Sequence, residues 1–184
     1  MDVFGPAWHD HARKIREAWL QTVGADDVVL VPGDISWAMR LGDAREDFAF
    51  LGGLPGTKVV IKGNHDYWWA SLSKVRESVP PSVVPLQNSS AVFDGVWVAG
   101  SRLWLDPDLK LENVTAEDVK IWERELERLA LSLKTLPAGL KTRIVMTHFP
   151  PISLDGRPGR AVGIARDAGC DIWVFGHMHL GSLD

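Results

Sequence analysis

Apolar positions along the chain alternate between the helical and the strand pattern. Ala12, Ile15, Trp19 and Val23 recur at helical spacing and Gly24 follows as a stop, which predicts a helix over residues 11–23 that packs against a sheet. Residues 28–31 are an unbroken apolar run ending at Pro32-Gly33, the signature of a buried strand entering a turn, and Asp34 lies in that turn. A short helix over 43–51 then leads through Gly52-Gly53-Leu54-Pro55-Gly56 to a second apolar strand over 58–61, again followed by glycine and a polar loop, Asn64-His65-Asp66. After a short helix over 71–78, Pro80, Pro81 and Pro85 break the chain before strands over 91–93 and 96–99. Asp94-Gly95 between these strands is a two-residue hairpin signal.

The clearest helix is predicted over 116–136, with Thr115 placed to cap it and Asp118 three residues on. Its stripe is Val119, Trp122, Leu126, Leu129, Leu133 and Leu136. A coiled coil shows the same spacing, but this stripe covers under three heptads and Pro137 with Gly139 closes it, so it reads as a core-facing amphipathic helix. Strands over 143–146 and 172–175 follow, with a Gly- and Arg-rich loop and a short helix over 160–168 between them. Strands alternating with helices make the fold class α/β.

Composition narrows the class. A length of 184 residues fits one domain, 1–184, and 46% apolar with 24% charged residues is globular. A net charge of −4 leaves no cationic excess for a broad nucleic-acid or membrane surface. Cys170 stands alone, which excludes an internal disulfide or a Cys-rich zinc site and fits a reducing compartment, so a cytoplasmic location is expected. No apolar run approaches 18 residues, and residues 1–10 lack the basic start and apolar stretch of a signal peptide.

Five strand candidates run directly into polar loops: Gly33-Asp34, Gly63-Asn64-His65-Asp66, Gly100-Ser101-Arg102, Thr147-His148 and Gly176-His177-Met178-His179. In α/β sheets the carboxyl ends of strands form the ligand crevice, so these loops are expected to converge. Asp34, Asn64, His148, His177 and His179 combine carboxylate, amide oxygen and imidazole, a donor set for first-row transition metals. Two such ions about 3.5 to 4 Å apart suit in-line phosphoryl displacement. Singly, Gly-Asp or Thr-His after a strand is usually just a turn, and His177 with His179 also reads as an exposed pair. Four of the six histidines nevertheless fall in these loops.

In this order, the motifs resemble those of the calcineurin-like metallophosphoesterase superfamily. The runs Gly33-Asp34-Ile35-Ser36-Trp37-Ala38-Met39 and Gly63-Asn64-His65-Asp66-Tyr67-Trp68-Trp69 further resemble a bacterial branch of predicted phosphohydrolases. The resemblance implies a four-layer α/β/β/α sandwich and two divalent ions (manganese, iron or zinc) bridged by Asp34. It implies that Asn64, His148 and His177 complete one ion's set and that His179 serves the other. His65 is implied to protonate the leaving oxygen or steady the phosphate, and Asp66 to orient that histidine. The implied substrate is a phosphomonoester or phosphodiester, in a superfamily that acts on nucleotides, nucleic acids, phospholipids and phosphoproteins.

The sequence departs from this pattern at its ends. No strand ending in Asp-x-His precedes Asp34; His9-Asp10-His11 is the nearest candidate, but it precedes a helix. The chain also stops five residues after His179, so both ends are expected to be clipped, with the first and the C-terminal strands of the family lacking. The second ion then keeps only Asp34 and His179, and activity is expected to be impaired. The competing class is a non-catalytic scaffold of the same fold that binds one ion or none. Arg102 and Trp104 are candidates for the substrate pocket, although Arg102 equally suits a surface pair. Arg157, Arg160 and Arg166 read mainly as a solvated loop and helix. Trp37, Trp68 and Trp69 lie beside the motifs, where they are placed to wall a cleft.

Overall fold

A computed structural model describes residues 8–134, 139–140 and 142–178. In chain order the elements are α1 (His11–Thr22), β1 (Val28–Val31), α2 (Arg45–Gly52), β2 (Thr57–Val60), α3 (Leu72–Ser78), β3 (Val83–Pro85), β4 (Ser89–Phe93), β5 (Val96–Ser101), α4 (Ala116–Leu133), β6 (Thr142–Thr147), α5 (Arg160–Asp167) and β7 (Ile172–Phe175). A 3-10 turn, Leu41–Ala44, leads into α2.

The strands form two sheets. One is parallel, in the order β1-β2-β3, and the other runs β4-β5-β6-β7, parallel except for the antiparallel β4–β5 pair. Parallel strands are covered on both faces, which is why they read as unbroken apolar runs. Val59, Ile61, Leu86, Val98 and Met146 fill the space between the sheets. Phe48, Leu51 and Val75 from α2 and α3 cover the outer face of the first sheet. Trp122, Leu126, Leu129 and Leu133 from α4, with Ala161 and Ala165 from α5, cover the second. The layers are therefore α/β/β/α, as the motif pattern implies.

Local chemistry fixes several boundaries. Thr115 and Asp118 close a reciprocal capping box, with Asp118 N donating to Thr115 Oγ1 at 3.2 Å and Thr115 N to Asp118 Oδ2 at 2.9 Å. The helix is described to Leu133, and Leu136 lies outside the described residues. Asp94 and Gly95 have φ of 43° and 79°, the two left-handed residues of a type I′ hairpin turn.

Two expectations need correction. Proline was expected to break the chain at Pro85, yet β3 ends on it, paired with Val60. β3 is the edge strand of its sheet, where proline's missing N–H removes no ladder bond. The first helix was expected to pack on a sheet, but no residue of α1 is buried. It makes contact through half-buried Trp19, whose Nε1 donates to the Pro55 carbonyl at 3.0 Å. Its stripe lines an open cleft with Trp8, Phe50 and Leu51, leaving Ile15 44% exposed.

The core assignment of α4 predicts a contrast. Leu129→Ala, at a fully buried position, should destabilise the fold by about 2 to 5 kcal/mol. Leu131→Ala, two residues on and 53% exposed, should change it by roughly 0.5 kcal/mol or less. Denaturant midpoints of the two variants check this.

Candidate metal centre and active site

The loops that leave β1, β2, β5, β6 and β7 at their carboxyl ends meet. Main-chain bonds hold them in register: His148 N and Phe149 N both donate to Arg102 O at 3.1 Å, and Gly176 N donates to His148 O at 3.1 Å. Glycine makes the approach possible. A Cβ on Gly63 would overlap the Asp34 side chain and backbone, and one on Gly33 would come within 2.7 Å of both Gly63 Cα and His148 Nδ1.

Asp66 is the anchor. Its fully buried carboxylate accepts bonds from Asp34 N at 2.8 Å, Ile35 N at 2.8 Å, Ser36 N at 3.0 Å and Gly63 N at 2.7 Å, and from Trp68 Nε1 at 3.0 Å. Burial raises its pKa, and the backbone donors offset only part of that rise. Since both oxygens only accept, the ionised form is the one this cage fits. This corrects the expectation that Asp66 orients His65. Its oxygens face main-chain N–H groups and an indole, whereas the His65 ring has Nδ1 at 3.2 Å from Tyr67 Oη and stacks on Trp37 at 5.0 Å between centroids.

Asp34 and His177 take left-handed backbone conformations, with φ of 56° and 67°, uncommon for residues other than glycine. Such strain is held only where surrounding bonds impose it, and here the Asp66 cage fixes Asp34. Asp34 Oδ1 in turn accepts from His65 N at 3.0 Å.

Four of the five expected metal ligands come together. His148 Nε2 lies 2.6 Å from Asn64 Oδ1 and 3.6 Å from Asp34 Oδ2, and His177 Nδ1 lies 3.2 Å from the same Asn64 oxygen. His179 lies outside the described residues. The far nitrogens are held from behind: His148 Nδ1 donates to the Pro32 carbonyl at 2.8 Å, and His177 Nε2 meets Glu112 Oε1 at 2.9 Å. Burial is the largest influence on His148 and lowers its pKa, against the raising pull of Asp34. Among the described residues no three His, Cys, Asp or Glu side chains form a cluster able to hold an ion by themselves. Asn64 Oδ1, an amide oxygen outside that count, joins the two imidazoles.

Donors about 2.0 to 2.2 Å from one ion stand about 3.0 to 3.5 Å from each other. Of the separations here, 3.2 Å falls in that range, 3.6 Å lies just beyond it, and 2.6 Å is direct hydrogen-bond contact. Glu112 was not identified from sequence. It sits in the irregular segment before α4, 65 residues from His177, with no motif or periodicity to mark it.

The other candidate residues lie outside the donor cluster. The Arg102 guanidinium donates to Glu125 at 3.0 Å and stacks over Trp104 at 4.3 Å, so it forms a half-buried pair with α4 and does not join the donor cluster. Trp68 and Trp69 are core residues, whereas Trp37 lines a cleft with Asp34 and His65. Arg157 and Arg160 are engaged in exposed pairs with Asp155 and Glu123. Asp10 pairs with Arg13 at 2.5 Å, and His11 shares a small cleft with Asp34 and Asp47. A further cavity of about 350 Å³ brings His65, Glu112 and His177 to one surface.

A sheet sandwich with carboxylate, amide and imidazole donors gathered at its strand ends is the architecture of a metal-dependent hydrolase. The chain matches the calcineurin-like phosphoesterase family over residues 8–181 and belongs to that family, whose members hydrolyse phosphoesters with divalent metals. No curated protein matches the chain. Among the described residues, no helix is long and apolar enough to cross a membrane.

Asp66→Asn places an amide N–H₂ against backbone donors and should lower stability by about 2 to 4 kcal/mol, since charge-assisted bonds are lost and buried donors are left unpaired. Denaturant unfolding reads the loss. An unchanged midpoint would show that the cage does not hold the loops.

Proposed function

We propose that the chain hydrolyses phosphomonoesters or phosphodiesters at a centre where Asp34, Asn64, His148 and His177 hold one divalent ion, manganese, iron or zinc. One observation carries this reading. His148 Nε2 and His177 Nδ1 face the Asn64 oxygen at 2.6 and 3.2 Å, while the opposite ring nitrogens are taken up by Pro32 O and Glu112. In neutral rings so held, the inward nitrogens carry lone pairs, and lone pairs crowded around oxygens favour a cation among them. A carboxylate or carbonyl behind each ligating imidazole is the usual support of a metal site.

Bound ions supply Lewis-acid polarisation of the phosphoryl oxygens and a water activated for attack. The chain's own groups do the rest. Trp37 and Tyr67 hold His65 beside Asp34 and at the edge of the cavity shared with His177, where its imidazole donates a proton to the leaving oxygen or binds the phosphate. Asp66 acts at one remove, by fixing the backbone that presents Asp34.

Metal content and turnover give the test. The reading predicts a divalent ion that is lost when Asn64 or His148 is replaced by Ala, and turnover of a chromogenic phosphodiester that rises with added manganese. His65→Ala should cut that turnover by about 10²- to 10⁴-fold with the metal content unchanged. No bound ion, or metal content unchanged in the Asn64 and His148 variants, would contradict it. The competing reading is a non-catalytic scaffold of the same fold that binds one ion or none. One bound ion with no turnover at any manganese concentration would establish it.

A further inference from the structure

A second polar cavity opens at the same end of the sandwich. Its volume is about 200 Å³, and Lys62, Gln87, Asn88, Arg102, Glu125 and Arg128 line it. Four separate stretches of chain deliver these groups. Lys62 lies just past β2, Gln87 and Asn88 join β3 to β4, Arg102 follows β5, and Glu125 and Arg128 stand on α4. Three cations thus surround one carboxylate, an excess of two positive charges in a partly buried space.

The pairing is uneven. Arg102 at 3.0 Å and Arg128 at 2.6 Å share a single oxygen of buried Glu125. Lys62 is half-buried, and among the described residues no carboxylate lies within ion-pair distance of it; its Nζ has one long bond, 3.4 Å, to the Trp69 carbonyl. Gln87 lines the same space, with its Oε1 taken up by Trp69 Nε1 at 3.1 Å. Like charges gathered out of water repel each other, and an oxyanion among them removes the repulsion and accepts their N–H groups.

We propose that this cavity is an anion subsite that takes a tetrahedral oxyanion, phosphate or sulfate, either free or as a second charged group of the phosphoester. It lies close to the donor cluster along the chain, because Lys62 is two residues from Asn64 and the Arg102 carbonyl accepts from His148 N. Binding of the oxyanion rests on charge and geometry alone, and only the second source rests on the hydrolase reading.

The test is a titration of the chelator-treated, metal-free chain with sulfate, followed by thermal midpoint and calorimetry, against chloride at matched ionic strength. A saturable response to sulfate is expected. Lys62→Met and Arg128→Gln should each raise the half-saturating concentration by about tenfold, as expected for the loss of one charge-assisted contact, while Asn64→Ala should leave it unchanged. No response beyond that of chloride, or half-saturation in both cation variants at the parent's sulfate concentration, overturns the proposal. Should Lys62→Met fail to fold, Arg128→Gln, at a side chain 37% exposed, decides alone.

Turnover by the metal-loaded chain then separates the sources. If Arg128→Gln raises KM for a bisphosphorylated substrate and not for its monophosphorylated counterpart, the anion is part of the substrate. If sulfate alters turnover of the monophosphorylated substrate in the parent and not in the variant, the anion is free. An inactive enzyme leaves the metal-free titration readable, and a failed titration leaves the hydrolase reading standing.

Discussion

The carboxylate of Asp66 ties two loops that the chain brings from separate strands. It binds Gly63 in the turn after β2 and Asp34, Ile35 and Ser36 in the turn after β1, and Trp68 closes the cage from the core side. Backbone N–H groups that would otherwise be orphaned at the ends of two strands are satisfied by one buried anion, which is itself stabilised only by their presence. The left-handed backbone of Asp34 follows from this, and so does the contact of Asp34 with the amide of His65. The donor cluster is therefore a property of loop geometry more than of the ligands themselves.

The same logic runs through the rest of the centre. Gly33 and Gly63 let the first two loops approach where a side chain would collide, and the Pro32 carbonyl in the first loop orients a histidine that arrives from the sheet opposite. The two sheets are joined at this end by side chains and main-chain bonds, and deeper in by the apolar layer of Val59, Ile61, Val98 and Met146. The layer sets the spacing of the strands, and the strands set where Asp34, Asn64, His148 and His177 meet.

Much of this was legible in the sequence. Parallel strands buried on both faces leave unbroken apolar runs, so β1, β6 and β7 could be placed within a residue or two, and the left-handed turn of Asp94-Gly95 announced its hairpin. Glycine followed by Asp, Asn or His after β1, β2 and β7, and Thr147-His148 at the end of β6, marked the convergent loops. What escaped had no local signal. β3 is short and ends in proline, and its strand character comes from pairing at a sheet edge. The motif resemblance implied that Asp66 orients His65, yet its carboxylate turns inward to backbone N–H groups of two loops, a tertiary contact that no local pattern marks. Glu112 and the Glu125 partner of Arg102 depend on tertiary contacts across 65 and 23 residues, beyond the reach of any pattern in the sequence.

The central claim is that Asp34, Asn64, His148 and His177 surround one cation. A crystal of the chain soaked in manganese, with diffraction recorded on both sides of the manganese absorption edge, tests it most directly. The account predicts one strong anomalous peak about 2.0 to 2.3 Å from Asp34, Asn64 Oδ1, His148 Nε2 and His177 Nδ1, with Glu112 still bonded to the far side of His177. A well-ordered cluster with no peak, or a peak bound by other residues while His148 and Asn64 stay in direct contact, would contradict it.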